Sequence, residues 1–201
     1  MDDIVVEGVT YTRNEFVQDW QHKFDFTYYM NRYFTAQDTP DCVVLNAGLN
    51  DIIWHPYDIE TINKYIGCIK NIISSIHNYN ANIKIILCTV TPQPEKDAFT
   101  SSYGSSDHAP WLTAEQAKAR QEKWNQRIID EFDTLEYRND KVFIAPTNAN
   151  FDTNNVFPTM VTHPNKFDDS IEQTIVTDIH PTQVGAKFIA DTIVNTIVGV
   201  L

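Results

Sequence analysis

Apolar runs of strand length alternate along the chain with longer segments in which apolar residues recur every three or four positions. The strand-length runs are 4–6, 42–47, 83–90 and 142–145. Helical periods occupy 13–34 and three further segments that begin at Asp58, Thr113 and Thr182. Alternation of this kind predicts an α/β fold, in which helices cover a mostly parallel sheet.

Two helices have apolar stripes that predict which residues face the core. In the helix that follows Asp58 the stripe is Ile59, Ile62, Ile66, Ile69, Ile73 and Ile76. In the closing helix it is Ala186, Ile189, Ala190, Ile193, Val194 and Ile197. Thr113 and Gln116 form a capping box, and the helix that it opens runs through Trp124, Ile128 and Phe132. Two polar segments without a period, 95–110 and 147–169, predict a long surface loop and an irregular excursion over the sheet.

Length and charge narrow the classes of protein. The 201 residues suit one domain, 1–201, with one core. A net charge of −12 disfavours a nucleic-acid partner, since such binding depends on clustered Lys and Arg. No apolar stretch reaches the roughly 18 residues of a membrane span, and no signal peptide opens the chain. A soluble protein is predicted, and its compartment stays open. Cys42, Cys68 and Cys88 have no CxxC spacing and are predicted to be reduced, packed thiols.

Two segments far apart in the chain carry candidate chemistry. The run 42–47 ends at Gly48, and Asn50 and Asp51 follow on a predicted loop, where an Asn amide can donate to a developing oxyanion. Asp178 and His180 precede Pro181 and the closing helix, an arrangement in which a carboxylate orients an imidazole base. Each segment also has an interpretation without catalysis. The first can be an ordinary turn, and the second can be a helix entrance that Asp178 caps.

Other side chains fit catalysis or metal binding less well. Ser101, Ser102, Ser105 and Ser106 lie in the predicted surface loop without the tight glycine turn that exposes a nucleophile. Cys88 lies inside a predicted strand. No two histidines have the i, i+4 helical spacing of a zinc site, so neither a metal nor a cofactor is expected.

Gly48-x-Asn50-Asp51 and His180-Pro181-x-x-x-Gly185 resemble the third and fifth sequence blocks of the SGNH (GDSL-type) hydrolases. The resemblance covers nearly the whole chain. It implies a three-layer α/β/α sandwich with a flavodoxin-like sheet, and a serine triad that needs no cofactor. It also implies Asn50 as oxyanion donor, His180 as general base and Asp178 as the carboxylate that orients it.

Three departures from the family pattern qualify what the resemblance implies. The first strand with its Gly-Asp-Ser turn is not found, so the nucleophile is expected outside this chain. Thr10 occupies the place of the second-block Gly, although Gly8 is close by. The family's Asp lies three residues before the His, where this chain has Thr177.

Two functions are therefore predicted as alternatives. The first is an ester hydrolase that acts on acetyl or other short acyl esters, including those of carbohydrates; Trp54, His55 and Tyr57 are then expected either beside the substrate or packed against the neighbouring loop. The second is a catalytically inactive binding or structural module of the same fold. In either case a sheet without its first strand exposes an unpaired edge, which predicts self-association or a partner strand there.

Overall fold

The computed structural model describes residues 4–6, 9–11, 24–54, 59–92, 114–149, 151–153, 155–162, 167, 169, 171–175 and 180–201. The strands are β1 (Ile4–Val6), β2 (Val9–Tyr11), β3 (Cys42–Leu45), β4 (Lys84–Cys88), β5 (Val142–Ala145), β6 (Thr159–Thr162) and β7 (Glu172–Ile175). The helices are α1 (Phe26–Tyr33), α2 (Leu49–Trp54), α3 (Ile59–Tyr79), α4 (Ala114–Phe132), α5 (Leu135–Asn139) and α6 (Gln183–Val200), with a 3-10 turn at Ala36–Asp38.

The centre of the described fold is an open sheet of three parallel strands in the order β3-β4-β5. The β1–β2 and β6–β7 pairs form separate two-stranded antiparallel sheets. Parallel neighbours need a long crossover, and α3 and α4 lie in the two crossovers of this sheet. The α/β prediction is confirmed at this level.

Alternate residues of the strands pack into two different apolar clusters. On one face, Ile85 and Leu87 of β4 join the isoleucine stripe of α3 and the stripe Trp124, Ile128 and Phe132 of α4. On the other face, Ile86 and Cys88 contact the last turns of α6. The sheet is therefore covered by helices on both sides.

Three packing predictions need correction. Cys68, which the sequence predicts to be packed, is exposed because it lies off the buried isoleucine stripe of α3. Ile59 is 62% exposed, since it is the first residue of α3 and projects before the helix reaches the sheet. In α6 the flank Ala186, Ala190 and Val194 is exposed, whereas Ile193 and Ile197 pack on the sheet. The reason is Gly185, where an added Cβ would lie 2.6 Å from the Pro181 Cβ, so this close approach sets the rotation of the helix.

The segment 147–169 is not wholly irregular, because it contains strand β6. Its partner β7 begins ten residues after β6 ends, and the two strands pair antiparallel from Thr159 opposite Ile175 to Thr162 opposite Glu172. The predicted helix over 13–34 is described only as α1, and its earlier part lies outside the described residues. The same holds for the predicted loop 95–110 and for the caps Asp58 and Thr113.

Candidate active site

A buried glycine turn connects β3 to α2. Gly48 has a φ of +107°, a value that side chains of L-residues rarely adopt. A Cβ there would also lie 3.0 Å from both the Tyr65 hydroxyl and a methyl group of Val90. The Tyr65 hydroxyl donates a hydrogen bond of 3.3 Å to the Ala47 carbonyl, which holds the turn from the other side. Only glycine satisfies this position without strain.

The turn leads directly into a helix rather than into the predicted loop. The Ile52 N–H donates to the Gly48 carbonyl at 3.1 Å, which closes the first turn of α2. Asn50 therefore lies in a helical first turn at the carboxyl end of β3, while its side chain lies outside the described residues. Asp51 is exposed and close enough to Tyr65 to add to the rise in the pKa of that phenol, which burial chiefly causes.

A buried arginine fixes the other end of α2. Arg120 of α4 is 9% exposed, and its guanidinium donates to the Ile52 carbonyl. Burial lowers the pKa of this guanidinium, and no described carboxylate forms an ion pair with it. A carbonyl near a helix C-terminus is partly negative and so is a suitable partner for a buried cation. Arg120 thus ties the segment that carries Asn50 to α4.

Two further buried polar residues of α4, Gln121 and Asn125, bind the backbone just after β4. Asn125 accepts from the Val90 N–H and donates to the Val90 carbonyl, both at 2.8 Å. Gln121 donates to the same carbonyl at 3.2 Å and also to the carbonyl of Thr91. Gln121 and Asn125 are each 3% exposed. We call these two residues, with Arg120, the α4 clamp.

A second set of polar contacts joins the carboxyl ends of β4 and β5. The Thr89 N–H donates to the Ala145 carbonyl at 3.0 Å, and its hydroxyl donates to the Asn148 side chain at 2.6 Å. The Thr147 hydroxyl donates to the Thr89 carbonyl. Together with the α4 clamp, these bonds hold the ends of all three parallel strands at the edge of the sheet where ligands of such folds bind.

His180 lies on an exposed bend just ahead of α6. Two residues later, Thr182 caps the helix, and its N–H and hydroxyl both donate to the Val156 carbonyl, at 2.7 and 2.9 Å. The helix entrance is thereby anchored to the segment that follows β5. Asp178 and Thr177 lie outside the described residues.

The predicted site residues thus have different outcomes. Asn50 follows β3 and His180 precedes α6, each on a fixed piece of backbone. Of the second-block residues, Thr10 pairs with Val5 in the β1–β2 sheet, and Gly8 lies outside the described residues. Among the aromatic candidates, Trp54 ends α2, while His55 and Tyr57 lie outside the described residues.

Sequence reasoning missed the α4 clamp. A signal was present, because Gln121 and Asn125 are four residues apart and flank the apolar stripe of Trp124 and Ile128. Polar residues beside the buried face of a helix must find partners there. The carbonyls at the strand ends supply those partners.

The described residues offer no activated nucleophile. Burial raises the pKa of the Cys88 thiol to about 11, and Cys88 is fully buried. The described serines are Ser74 and Ser75, both on α3, and the Ser75 hydroxyl accepts from the Phe26 N–H at 3.0 Å. No group of three or more His, Cys, Asp or Glu side chains capable of holding a metal ion occurs within the described part of the chain.

No helix in the described ranges is long and apolar enough to cross a membrane. Comparison with protein-family models found no match to this chain. The chain also has no significant match among curated proteins or among solved structures. The case for its function therefore depends on its own residues.

Proposed function

We propose that this chain forms most of an SGNH-type ester hydrolase site, and that its serine nucleophile is supplied from outside these 201 residues. One observation carries the proposal. The strand β3 ends in a turn that only glycine fits, and this turn delivers Asn50 at the carboxyl end of a parallel sheet. The close packing around Gly48 and the contact of Arg120 with α2 support a site that is built for precise positioning.

In the proposed mechanism, Asp178 accepts a hydrogen bond from the His180 ring, whose other nitrogen takes the proton of the serine hydroxyl. The serine oxygen attacks the ester carbonyl and forms a tetrahedral intermediate. The Asn50 amide and a backbone N–H near Gly8 or Thr10 donate to its oxyanion. His180 gives the proton to the departing alcohol, which leaves an acyl-serine ester. Water then attacks this ester while His180 takes its proton, and the acid is released as the serine oxygen regains that proton.

The proposed substrates are acetyl or other short acyl esters, including those of carbohydrates. Trp54 at the end of α2, followed by His55 and Tyr57, places aromatic residues near the proposed oxyanion donor along the chain. Aromatic faces suit the apolar faces of acyl groups and sugars. The same proposal includes the finer fold, a three-layer α/β/α sandwich with a flavodoxin-like sheet, and neither a metal nor a cofactor.

The test begins with the coding DNA ahead of Met1, translated in all frames and searched for a strand followed by Gly-Asp-Ser. The chain extended by that segment is then assayed with p-nitrophenyl acetate and with a fluorophosphonate probe. Replacement of Asn50 by Ala should lower kcat by roughly 10²-fold or more, the usual effect of losing one oxyanion donor. Asn63→Ala, at an exposed position of α3, is the matched control and should leave kcat unchanged.

A binding or structural module of the same fold is the second candidate. The observation that favours it is the set of described serines and cysteines, none of which lies at the end of a strand in an exposed turn. Under this alternative the upstream DNA encodes no Gly-Asp-Ser strand, and fluorophosphonate labels neither the chain nor its extended form. Labelling of the extended form alone supports the hydrolase.

A further inference from the structure

Among the described residues, the strand β3 is paired on one side only. Its described partner is β4, and the Lys84 N–H donates to the Asp41 carbonyl at 3.0 Å. Because hydrogen bonding alternates along a strand, Asp41, Val43 and Leu45 direct their backbone groups toward β4. The N–H and C=O groups of Cys42 and Val44 consequently point away from the sheet. They are the donors and acceptors that a further strand would use.

An apolar groove follows this open edge. It has a volume of about 470 Å³ and lies between α1 and β3, with Phe26, Met30, Phe34 and Val44 among its lining residues. A second cavity of about 390 Å³ shares Ala47 with it as a lining residue and reaches Tyr65, Cys68 and Ile72 of α3. We call the two cavities together the edge groove. Its first cavity is lined by Val43, Val44 and Leu45 of β3.

The apolar surface of the edge groove is partly open to water. Val44 is 39% exposed and Phe34 is 44% exposed, although both line the groove. The strand sequence Cys-Val-Val-Leu contains none of the Lys, Glu or Pro residues that commonly protect an edge from pairing. An unprotected edge with an apolar groove beside it suits an extended polypeptide whose alternate side chains enter the groove.

Charge indicates which polypeptide fits. Exposed carboxylates stand at both ends of β3, with Asp41 before it and Asp51 after it. Lys64 also lines the second cavity, but it forms an ion pair of 2.9 Å with Glu60. A second copy of this chain would bring another net charge of −12 to the same surface, which opposes self-association. A segment with basic residues on either side of an apolar strand is complementary.

We propose that the edge groove binds an extended apolar strand with basic flanks, carried by another polypeptide, which pairs with the free backbone groups of Cys42 and Val44. This inference does not depend on ester hydrolysis. The first strand of the proposed hydrolase would take the same edge of β3, so the interaction is measured on these 201 residues alone and without an ester, and either proposal can fail while the other stands.

The test uses a fluorescein-labelled peptide, Lys-Lys-Val-Ile-Val-Val-Lys-Lys, titrated with the chain and followed by fluorescence anisotropy. Two control peptides are used. The first has Pro at the third apolar position, because Pro cannot donate a backbone hydrogen bond to a neighbouring strand. The second has Glu in place of every Lys. Val44→Lys places a charge in the groove. Val161→Lys is the matched control, because Val161 is a 60% exposed valine on strand β6, outside the parallel sheet.

The first peptide is expected to bind the original chain saturably. Its affinity for Val44→Lys should be lower by about tenfold or more, and so should the affinity of either control peptide for the original chain. A loss of this size is equivalent to one or two hydrogen bonds. Val161→Lys should bind as the original chain does. Amide exchange should slow at Val44 on binding and stay unchanged at Val43. Equal binding by the Pro peptide, or by Val44→Lys, would overturn the proposal. A dimer formed by the chain alone, and lost in the Val44→Lys variant, would also overturn the proposal, because a second copy would then occupy the groove.

Discussion

Gly48 shows how one residue position joins the sequence pattern to the candidate site. A glycine after an apolar run predicts a turn, and the turn is present with a φ of +107°. The side chains around Gly48 cannot be predicted from the sequence, because α3 brings Tyr65 there and the end of β4 brings Val90. Residues distant in the chain therefore decide that nothing larger than glycine fits.

Gly48→Ala should lower the free energy of unfolding by about 1–3 kcal/mol, through backbone strain and contact with Tyr65. Gly67→Ala is the control, since Gly67 lies within α3 and an added Cβ there meets nothing within 4 Å. That change should raise the free energy of unfolding by about 0.5–1 kcal/mol. Urea denaturation measures both, and equal effects of the two substitutions would contradict the account of Gly48.

The three cysteines should differ in reactivity. Cys68 is exposed, whereas burial raises the pKa of Cys42 and raises that of Cys88 to about 11. At pH 8 the raised values leave little thiolate on Cys42 and Cys88, and the thiolate is the reactive form. One rapid reaction with iodoacetamide is expected in the native protein, and Cys68→Ser should remove it. A second rapid thiol in the Cys68→Ser variant would show that the described packing is wrong.

At the scale of elements, the apolar pattern predicts strands and helices of the central sheet well. The run 142–145 coincides with β5, and the stripe from Ile62 to Ile76 is buried in α3. The apolar pattern does not predict β6, because Thr159–Thr162 lies in a polar segment and becomes a strand only through pairing with β7. The pattern also does not predict the rotation of α6, which the contact of Gly185 with Pro181 and Val156 determines.

The α4 clamp makes a prediction at this scale. Asn125→Ala should lower the free energy of unfolding by about 2–4 kcal/mol, because it leaves the buried N–H and C=O of Val90 with fewer partners. Gln126→Ala, one residue further, removes only an exposed hydrogen bond to Asp130 and should cost less than about 0.5 kcal/mol. Similar losses for the two variants in thermal or urea unfolding would mean that Asn125 does not hold the end of β4.

For the whole molecule, composition and alternation predict an α/β fold, and the described parallel sheet with helices on both faces agrees with it. The candidate site is harder to predict, since its parts come from opposite ends of the chain. The positions of Asn50 and His180 along the elements follow from turn and helix signals. The relation of Asp178 to His180 depends on one residue of spacing, which a sequence pattern does not resolve.

The open edge of β3 also belongs to this scale. The described parallel sheet has three strands and an apolar edge without a described partner, and a bound strand would enlarge this sheet. Binding of the Lys-flanked peptide should therefore raise the Tm of the chain, and above Kd the rise should grow with the logarithm of the peptide concentration. A Tm that stays constant at saturating peptide would show that the peptide does not stabilise the folded sheet.

The central claim is that His180 acts as the general base of an ester hydrolase site. The most direct measurement is the rate of p-nitrophenyl acetate hydrolysis by the chain extended with its Gly-Asp-Ser strand, compared with the same protein carrying His180→Ala. Loss of the base should lower kcat on the order of 10³-fold or more, while circular dichroism shows an unchanged fold. Equal rates in the two proteins would contradict the claim.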